Sequence, residues 1–407
     1  MRRKLTLFAV LAAGAVFAAG ALAGASADPG VSDTEILVGG TSPLTGEASS
    51  AAAVARGAEA YLKYVSDRGG VNQRKITYKF LDDGYEPART VQVVRQLVEQ
   101  DKVFAVFNTL GTNNNLAVRE YLNQQKVPQL FVASGANTWG VDYKKYPWTI
   151  GYIPSYVLEG QVYGRQILKT KPKAKIAVLY QDDEYGRDMI KGLRLGLGKK
   201  AGTMIKSQVG YDPTGASVES QVAQLKASGA NMFMNFAFGK FAVQAFLAAN
   251  KLGWRPQVYV NAVASSANLM TIADLTGAKK VTQGAISIVF FKDPTDPHWA
   301  KDPGIKLFRT ILKKYVPAGN PKDGYYLAGM ASAFTLVDVL RKAGKNLTRD
   351  GVIKAARSLN EANNPFVIPG ILVKTSATDG FPMQQVGLQR WTKGHWEIFG
   401  GIVTSKT

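Results

Sequence analysis

Short apolar runs alternate along this chain with stretches whose apolar residues recur every three or four positions. EILVGG (35–40), ITYKFLD (76–82), VFAVF (103–107) and QLFVA (129–133) have the length and composition of strands. Between the first two, Val54, Ala58, Tyr61, Leu62 and Val65 keep helical spacing, and Val91, Val94, Leu97 and Val98 do so after the second. Continuous apolar strands alternating with helices predict a parallel sheet covered on both faces. The pattern then repeats with KIAVLYQ (175–181), MIKSQVGY (204–211), MFMNFAF (232–238) and QVYVNA (257–262). Helical spacing between them runs through Val222 and Leu225, then Val243, Phe246 and Leu247. An α/β fold of two doubly wound parallel-sheet lobes follows. After residue 283 come the strand AISIVFF, helices near 303–316, 323–343 and 349–358, and the hairpin VGLQRWTKGHWEIFGG, turning at Thr392-Lys393-Gly394.

The first 27 residues break this pattern. Arg2, Arg3 and Lys4 precede an Ala- and Gly-rich apolar stretch ending in Ala25-Ser26-Ala27. That is the layout of a cleavable export signal, with Asp28 the new N-terminus, rather than of an anchor. The remaining length is too great for one core, so two domains are expected. The chain has no cysteine. Disulfides are excluded, and so is a lipid anchor, which would need a cysteine after the signal. A soluble protein of the periplasm fits best. The formal charge is +20, or +17 without the three signal cations. A chain that leaves the cytoplasm with dispersed charge has no nucleic acid to meet. Its densest basic run, KTKPKAK (169–175), reads as a solvated turn.

Catalytic signatures are scarce. His298 and His395 are the only histidines and lie far apart in sequence, which leaves no histidine triad or zinc site. GGTSPLTGEASS after the first strand lacks the spacing of a dinucleotide loop, and no cofactor is expected. GLRLGLGKK (192–200) misses the phosphate-loop spacing and reads as a helix end. Asn346-Leu347-Thr348 matches a glycosylation sequon by chance. Asp82-Asp83 and Asp182-Asp183-Glu184 follow strands. Such pairs serve either acid–base chemistry or the capping of the next helix, and capping is the simpler use.

Three loops of the first lobe share a different chemistry. SPLTGEASSA (42–51), TLGTNNN (109–115) and ASGANTW (133–139) are rich in hydroxyls, amides and glycine. Free N–H groups at a helix start favour an anion. Thr112, with backbone groups of Ala133 and Gly135, is therefore expected to grip a carboxylate.

At these residues the chain resembles the branched-chain amino-acid-binding (leucine/isoleucine/valine-binding) proteins of ABC importers, with the type I periplasmic binding fold. The resemblance runs through SPLTG, RGAEAYLKYVSDRGGV (56–71), DDGYEPARTV (82–91), VPQLFVASGA (127–136) and VLYQDDEYGRD (178–188), and covers the mature chain. It implies a non-catalytic receptor, expected as a monomer, that closes on a small carboxylate or amino acid and delivers it to ABC permease subunits. It also implies three crossovers, near 150–154, 284–288 and 370–374. The N-terminal lobe is then 28–151 with 285–372, and the C-terminal lobe 152–284 with 373–407. By resemblance Thr112, Ala133 and Gly135 hold the carboxylate, and Tyr185 closes over the ligand. The second aromatic of the family becomes Phe238. The acid that pairs with a ligand ammonium becomes Ala262, so either Asp182, Asp183 or Glu184 substitutes or the ligand has no ammonium. The cysteine pair of some members falls around Tyr85 and Gly111. Trp139 reads equally as ligand contact or core. The rival readings are a ligand-sensing regulator of the same fold, an exported α/β hydrolase working through the acidic clusters, and a structural or adhesive envelope protein.

Overall fold

A computed structural model describes residues 28–404. The expected export signal, residues 1–27, lies outside the described residues. The first lobe is built from β1 (Glu35–Ser42), α1 (Ala52–Ser66), β2 (Lys75–Asp82), α2 (Pro87–Arg95), β3 (Ala105–Phe107), α3 (Thr112–Gln124), β4 (Gln129–Val132), the short α4 (Thr138–Val141) and β5 (Thr149–Gly151). All five strands pair in parallel, in the order β2-β1-β3-β4-β5. β5 is absent from the apolar pattern of the sequence, because three residues are too few to show a period.

The second lobe opens with α5 (Tyr156–Thr170), β6 (Ile176–Gln181), α6 (Glu184–Leu197), α7 (Ala201–Met204) and β7 (Ile205–Tyr211). It continues with α8 (Glu219–Ala227), β8 (Met232–Phe236), α9 (Lys240–Lys251), β9 (Gln257–Val260), α10 (Ala267–Ala273), α11 (Lys279–Thr282) and β10 (Ile286–Val289). The chain then returns to the first lobe as α12 (Pro303–Tyr315), α13 (Gly324–Ala343) and α14 (Arg349–Ala356), followed by the strand pair β11 (Asn360–Glu361) and β12 (Val373–Lys374). Asp302, Asp323 and Thr348 cap these three helices with side-chain oxygens. Finally β13 (Gln385–Thr392) and β14 (His395–Thr404) complete a seven-stranded sheet, β14-β13-β10-β9-β8-β6-β7. Thr392 pairs with His395, so the turn is Lys393-Gly394 alone, with φ of 50° and 84°. Positive φ at both central residues is what a two-residue hairpin needs.

The pairing corrects two of the expected crossovers. The first stays between Gly151 and Tyr156. The second does not lie at 284–288, because β10 is bonded to β9 and β13 and belongs to the second lobe; the exchange follows Val289. The third does not lie at 370–374. Lys374 N donates to Pro382 O, Thr375 Oγ1 donates to Ala356 O, and Gly380 packs on Gly140, so the chain stays with the first lobe until about residue 382.

Backbone contact between helices sets both lobes. A Cβ on Gly192 of α6 would lie 2.2 Å from Val157 O of α5, and one on Gly160 would lie 2.3 Å from Met189 O. Gly164 and Gly196 meet the same way one turn on. Gly192 and Gly196 of GLRLGLGKK therefore serve helix packing, and Gly198, at φ 54°, ends the helix with nothing packed on it. Among the described residues no helix is long and apolar enough to cross a membrane.

Candidate functional site

The loop between β3 and α3 carries the sharpest local chemistry. Gly111 precedes the helix at φ 101°, and Asn115 Nδ2 ties the loop down by donating to Thr109 O and Gly111 O at 2.8 and 2.7 Å. Asn114 Nδ2 donates to Thr90 Oγ1 at 2.8 Å, beside the buried Asp83. The crowd of asparagines is thus a latch. It leaves Gly111 and Thr112, at the start of α3, in the wall of an interlobe cavity of about 150 Å³. Thr112 Oγ1 shares a 2.8 Å bond with Ser134 Oγ, which also accepts from Trp139 Nε1 at 3.1 Å. Trp139 is core, packed with Val132 and Ala136, and holds Ser134 behind the threonine.

Of the six residues expected at the site, Thr112, Ala133, Tyr185, Phe238 and Ala262 line this cavity and Gly135 does not. The Gly135 carbonyl accepts from Tyr156 N at 2.7 Å, and a Cβ there would sit 2.5 Å from Pro154 O. Its glycine admits the first crossover rather than a ligand. Ala133 contributes wall but no free amide, because its N–H donates to Thr109 O at 3.0 Å.

Tyr185 stands edge-on to Tyr156, with ring centres 4.7 Å apart. Phe238 faces Tyr85 across the cleft at 5.5 Å. Burial drives the phenols of Tyr85, Tyr156 and Tyr185 above their ordinary range, which keeps them neutral. A Cβ on Gly111 would lie 2.8 Å from the Tyr85 ring, so these two positions are neighbours in the fold. The lobes also touch outside the cavity. Lys240 Nζ pairs with Glu47 Oε1 at 2.5 Å, and Asn137 N donates to Asp188 Oδ2 at 2.6 Å.

A family model described as "periplasmic binding protein" matches residues 35–395. This chain belongs to the periplasmic binding protein family. A curated relative, Leu/Ile/Val-binding protein homolog 7 of Brucella suis biovar 1, is 24% identical over 295 residues, 71% of this chain and 72% of its own length. Among solved structures, a branched-chain amino acid ABC transporter protein from Thermus thermophilus with bound valine has a TM-score of 0.79 at 17% identity, covering 92% of this chain and 97% of its own. A solute-binding protein of an R. palustris ABC transporter, in complex with benzoate, has a TM-score of 0.73 at 17% identity, covering 91% and 98%. The type I fold is thereby shared.

In this periplasmic binding protein the acidic clusters do not reach the cavity. Asp182 pairs with Arg187 at 2.9 Å on the surface, and Asp183 caps α6. Asp82 organises the loop of Leu44 and Thr45, and Asp83 accepts from Thr41 and Thr90. Glu184 does not line it either. A hydrolase reading loses its carboxylates to these structural bonds. Both histidines also lie off the cavity, although the fold brings both near Asp296.

Sequence reasoning missed the second half of the wall. Asn108, Ser265, Asp293, Tyr325 and Gln389 all line it. Asn108 Nδ2 is buried and has no partner among the described residues. Behind Ala262 stands Glu159, whose Oε1 accepts from Ala262 N at 2.7 Å and from Tyr163 Oη at 2.8 Å. Among the described residues Asp293 is the one carboxylate in the wall, and its Oδ1 accepts from both Thr295 N and Oγ1 at 2.6 Å. No local pattern marks these residues.

Burial pushes Glu159 and Glu361 up to about 7, and Asp188 and Asp293 up to about 6. The native state thus holds protons that the unfolded chain has already released above about pH 4.5. Stability from these groups is fully present below that point and is lost as pH rises through 6 and 7. The melting temperature is expected to fall between pH 5 and pH 8 at constant ionic strength, and Glu159→Gln to flatten the slope. A melting temperature that rises over this interval would contradict the assignment.

Proposed function

We propose that this chain is the extracytoplasmic receptor of an ABC importer, and that it closes around a small carboxylate with an apolar body and no α-ammonium. The observation that carries the reading is the asymmetry of the cavity. One wall presents the Thr112 hydroxyl and the start of α3, a site for an anion. The position where relatives of the amino-acid-binding class place an acid presents the methyl of Ala262, whose own amide is committed to Glu159. A buried ammonium there would be unpaired, at a cost of several kcal/mol. The remaining wall is largely apolar, aromatic and aliphatic together, and a cavity of this size accommodates about one benzene-sized ring. The benzoate-bound relative supports the reading, since its ligand is an acid without an amine.

Tyr185 and Phe238 come from the second lobe and Thr112 from the first, so a bound solute bridges both. Binding and closure are one event, which is how a receptor of this shape signals occupancy. The receptor acts without catalysis. It is exported by cleavage after Ala27, works as a periplasmic monomer without a lipid anchor or cofactor, and docks its outer faces on permease subunits.

A thermal-shift screen of residues 28–407 tests this. Leucine, isoleucine, valine and phenylalanine are compared with their deaminated acids, benzoates and short fatty acids. A ligand at a hundredfold over its Kd adds about 2.7 kcal/mol of stability. Stabilisation only by the acids without an amine is the expected result. Equal stabilisation by the amino acids would favour a second reading, in which Asp293 takes the amine. No shift from any acid would remove the carboxylate reading itself.

A further inference from the structure

The topology of the first lobe fixes where the cavity ends. In its sheet β2 lies on one side of β1, whereas β3 and β4 follow on the other. The connections β1–α1–β2 and β3–α3–β4 therefore run in opposite directions, and right-handed crossovers put α1 and α3 on opposite faces. α13 shares the face of α1, because the two backbones touch. A Cβ on Gly329 would overlap Val54 O, and one on Gly57 would overlap Tyr326 O. Thr112, at the start of α3, thus lines the cavity from one face of the sheet, and Val54 of α1 and Ala328 of α13 line it from the other. The cavity crosses the carboxyl edge of the sheet, which is where ligands of such sheets sit.

The far end is apolar. Ala328 lies one turn down α13 from Gly324, below the rim where Gly324 and Asp293 meet the cavity. It is half-buried, whereas Leu327 and Gly329 on either side are buried, so position 328 turns towards the open space. Tyr152 and Phe291, from the first two crossovers, close the same end. The Tyr152 hydroxyl donates to Ala331 O of α13 at 2.8 Å, which commits its polar atom and leaves the ring as wall. That ring stacks on Phe291, with centres 6.1 Å apart.

We propose that the apolar body of the carboxylate crosses the sheet edge and ends between α1 and α13, where Ala328 and Val54 set the length of acid that binds. This rests on the proposed carboxylate reading and adds a second determinant of specificity. The ligand class is an extended acid, straight-chain or ω-aryl, in preference to a compact branched one. An alanine at 328 leaves room that any larger side chain would take from the last carbons of the ligand.

Calorimetric titration of residues 28–407 with straight-chain acids from butanoate to decanoate tests it. Affinity is expected to rise about fourfold for each buried methylene up to one length and to fall beyond it. Ala328→Leu extends the far wall and is expected to move that maximum about two carbons shorter, with a loss of about tenfold or more for the acid that fits best before the change. Val54→Ala widens the same end and is expected to move the maximum about one carbon longer, an opposite shift that impaired folding cannot imitate. A maximum at one length in all three proteins would overturn the inference and leave the carboxylate reading standing. So would a loss shared equally by every acid in Ala328→Leu beside an unmoved maximum in Val54→Ala. Failure of every acid to bind the unmodified protein would remove the carboxylate reading, and this inference with it.

Discussion

Gly192→Leu is expected to lower the melting temperature of this protein by roughly 6–12 °C. Leucine at this position would place its Cβ 2.2 Å from Val157 O, where only backbone surrounds it. No rotamer relieves that overlap, so α5 and α6 must separate. Overpacking of this kind costs about 3 kcal/mol, and in a lobe of this size each kcal/mol moves the midpoint about 2–4 °C. The same two helices carry Tyr156 and Tyr185, whose rings meet 4.7 Å apart in the cavity wall. Ligand affinity should therefore fall with stability. Gly202→Ala is the matched control, because nothing lies within 4 Å of a Cβ there and its φ is ordinary. That change should leave the midpoint unchanged or raise it slightly. Equal midpoints for Gly192→Leu and the unmodified protein would show that the two helices are not in backbone contact.

Thr112→Val is expected to weaken carboxylate binding by about 1–3 kcal/mol, roughly 5- to 150-fold in Kd. Valine keeps the shape of the side chain and removes only the hydroxyl. The free protein loses one bond, to Ser134, which retains Trp139 Nε1 and the Ala136 amide at 3.1 and 3.2 Å. The melting temperature of the free protein should thus move little while affinity drops. Titration with whichever acid the thermal screen identifies separates the two effects. An unchanged Kd would place the carboxylate elsewhere on the wall, and a large loss of fold would make Thr112 a structural residue.

These two residues mark different depths of legibility. Thr112 stands out in TLGTNNN because a hydroxyl beside a glycine and a helix start is a local pattern with a local meaning. Gly192 does not, because nothing in GLRLGLGKK says which surface approaches it. The same division holds for Ala133 and Gly135. Both follow β4 as expected, but Ala133 spends its amide on Thr109, and Gly135 faces Pro154 instead of the cavity. Trp139 could not be assigned from sequence, since an aromatic near a loop serves core and ligand equally well. Its N–H bond to Ser134 puts it in the core.

Alternating apolar runs and helical spacing were enough to determine most of the strands and helices and the two-lobed α/β class, and loop composition to single out the start of α3 as a candidate site. Each depends on residues close together in the chain, where backbone geometry and periodic burial leave few alternatives. The lobe that receives β10, the place of the last two crossovers and the arrival of Asp293 and Gln389 in the cavity were decided by the tertiary structure. AISIVFF is apolar enough to fill either sheet, and hydrophobic burial is non-directional, so composition cannot choose between them. Pairing with β9 and β13 chooses, and carries Gln389 to the cavity wall beside Ser265, a residue more than a hundred positions away in the chain.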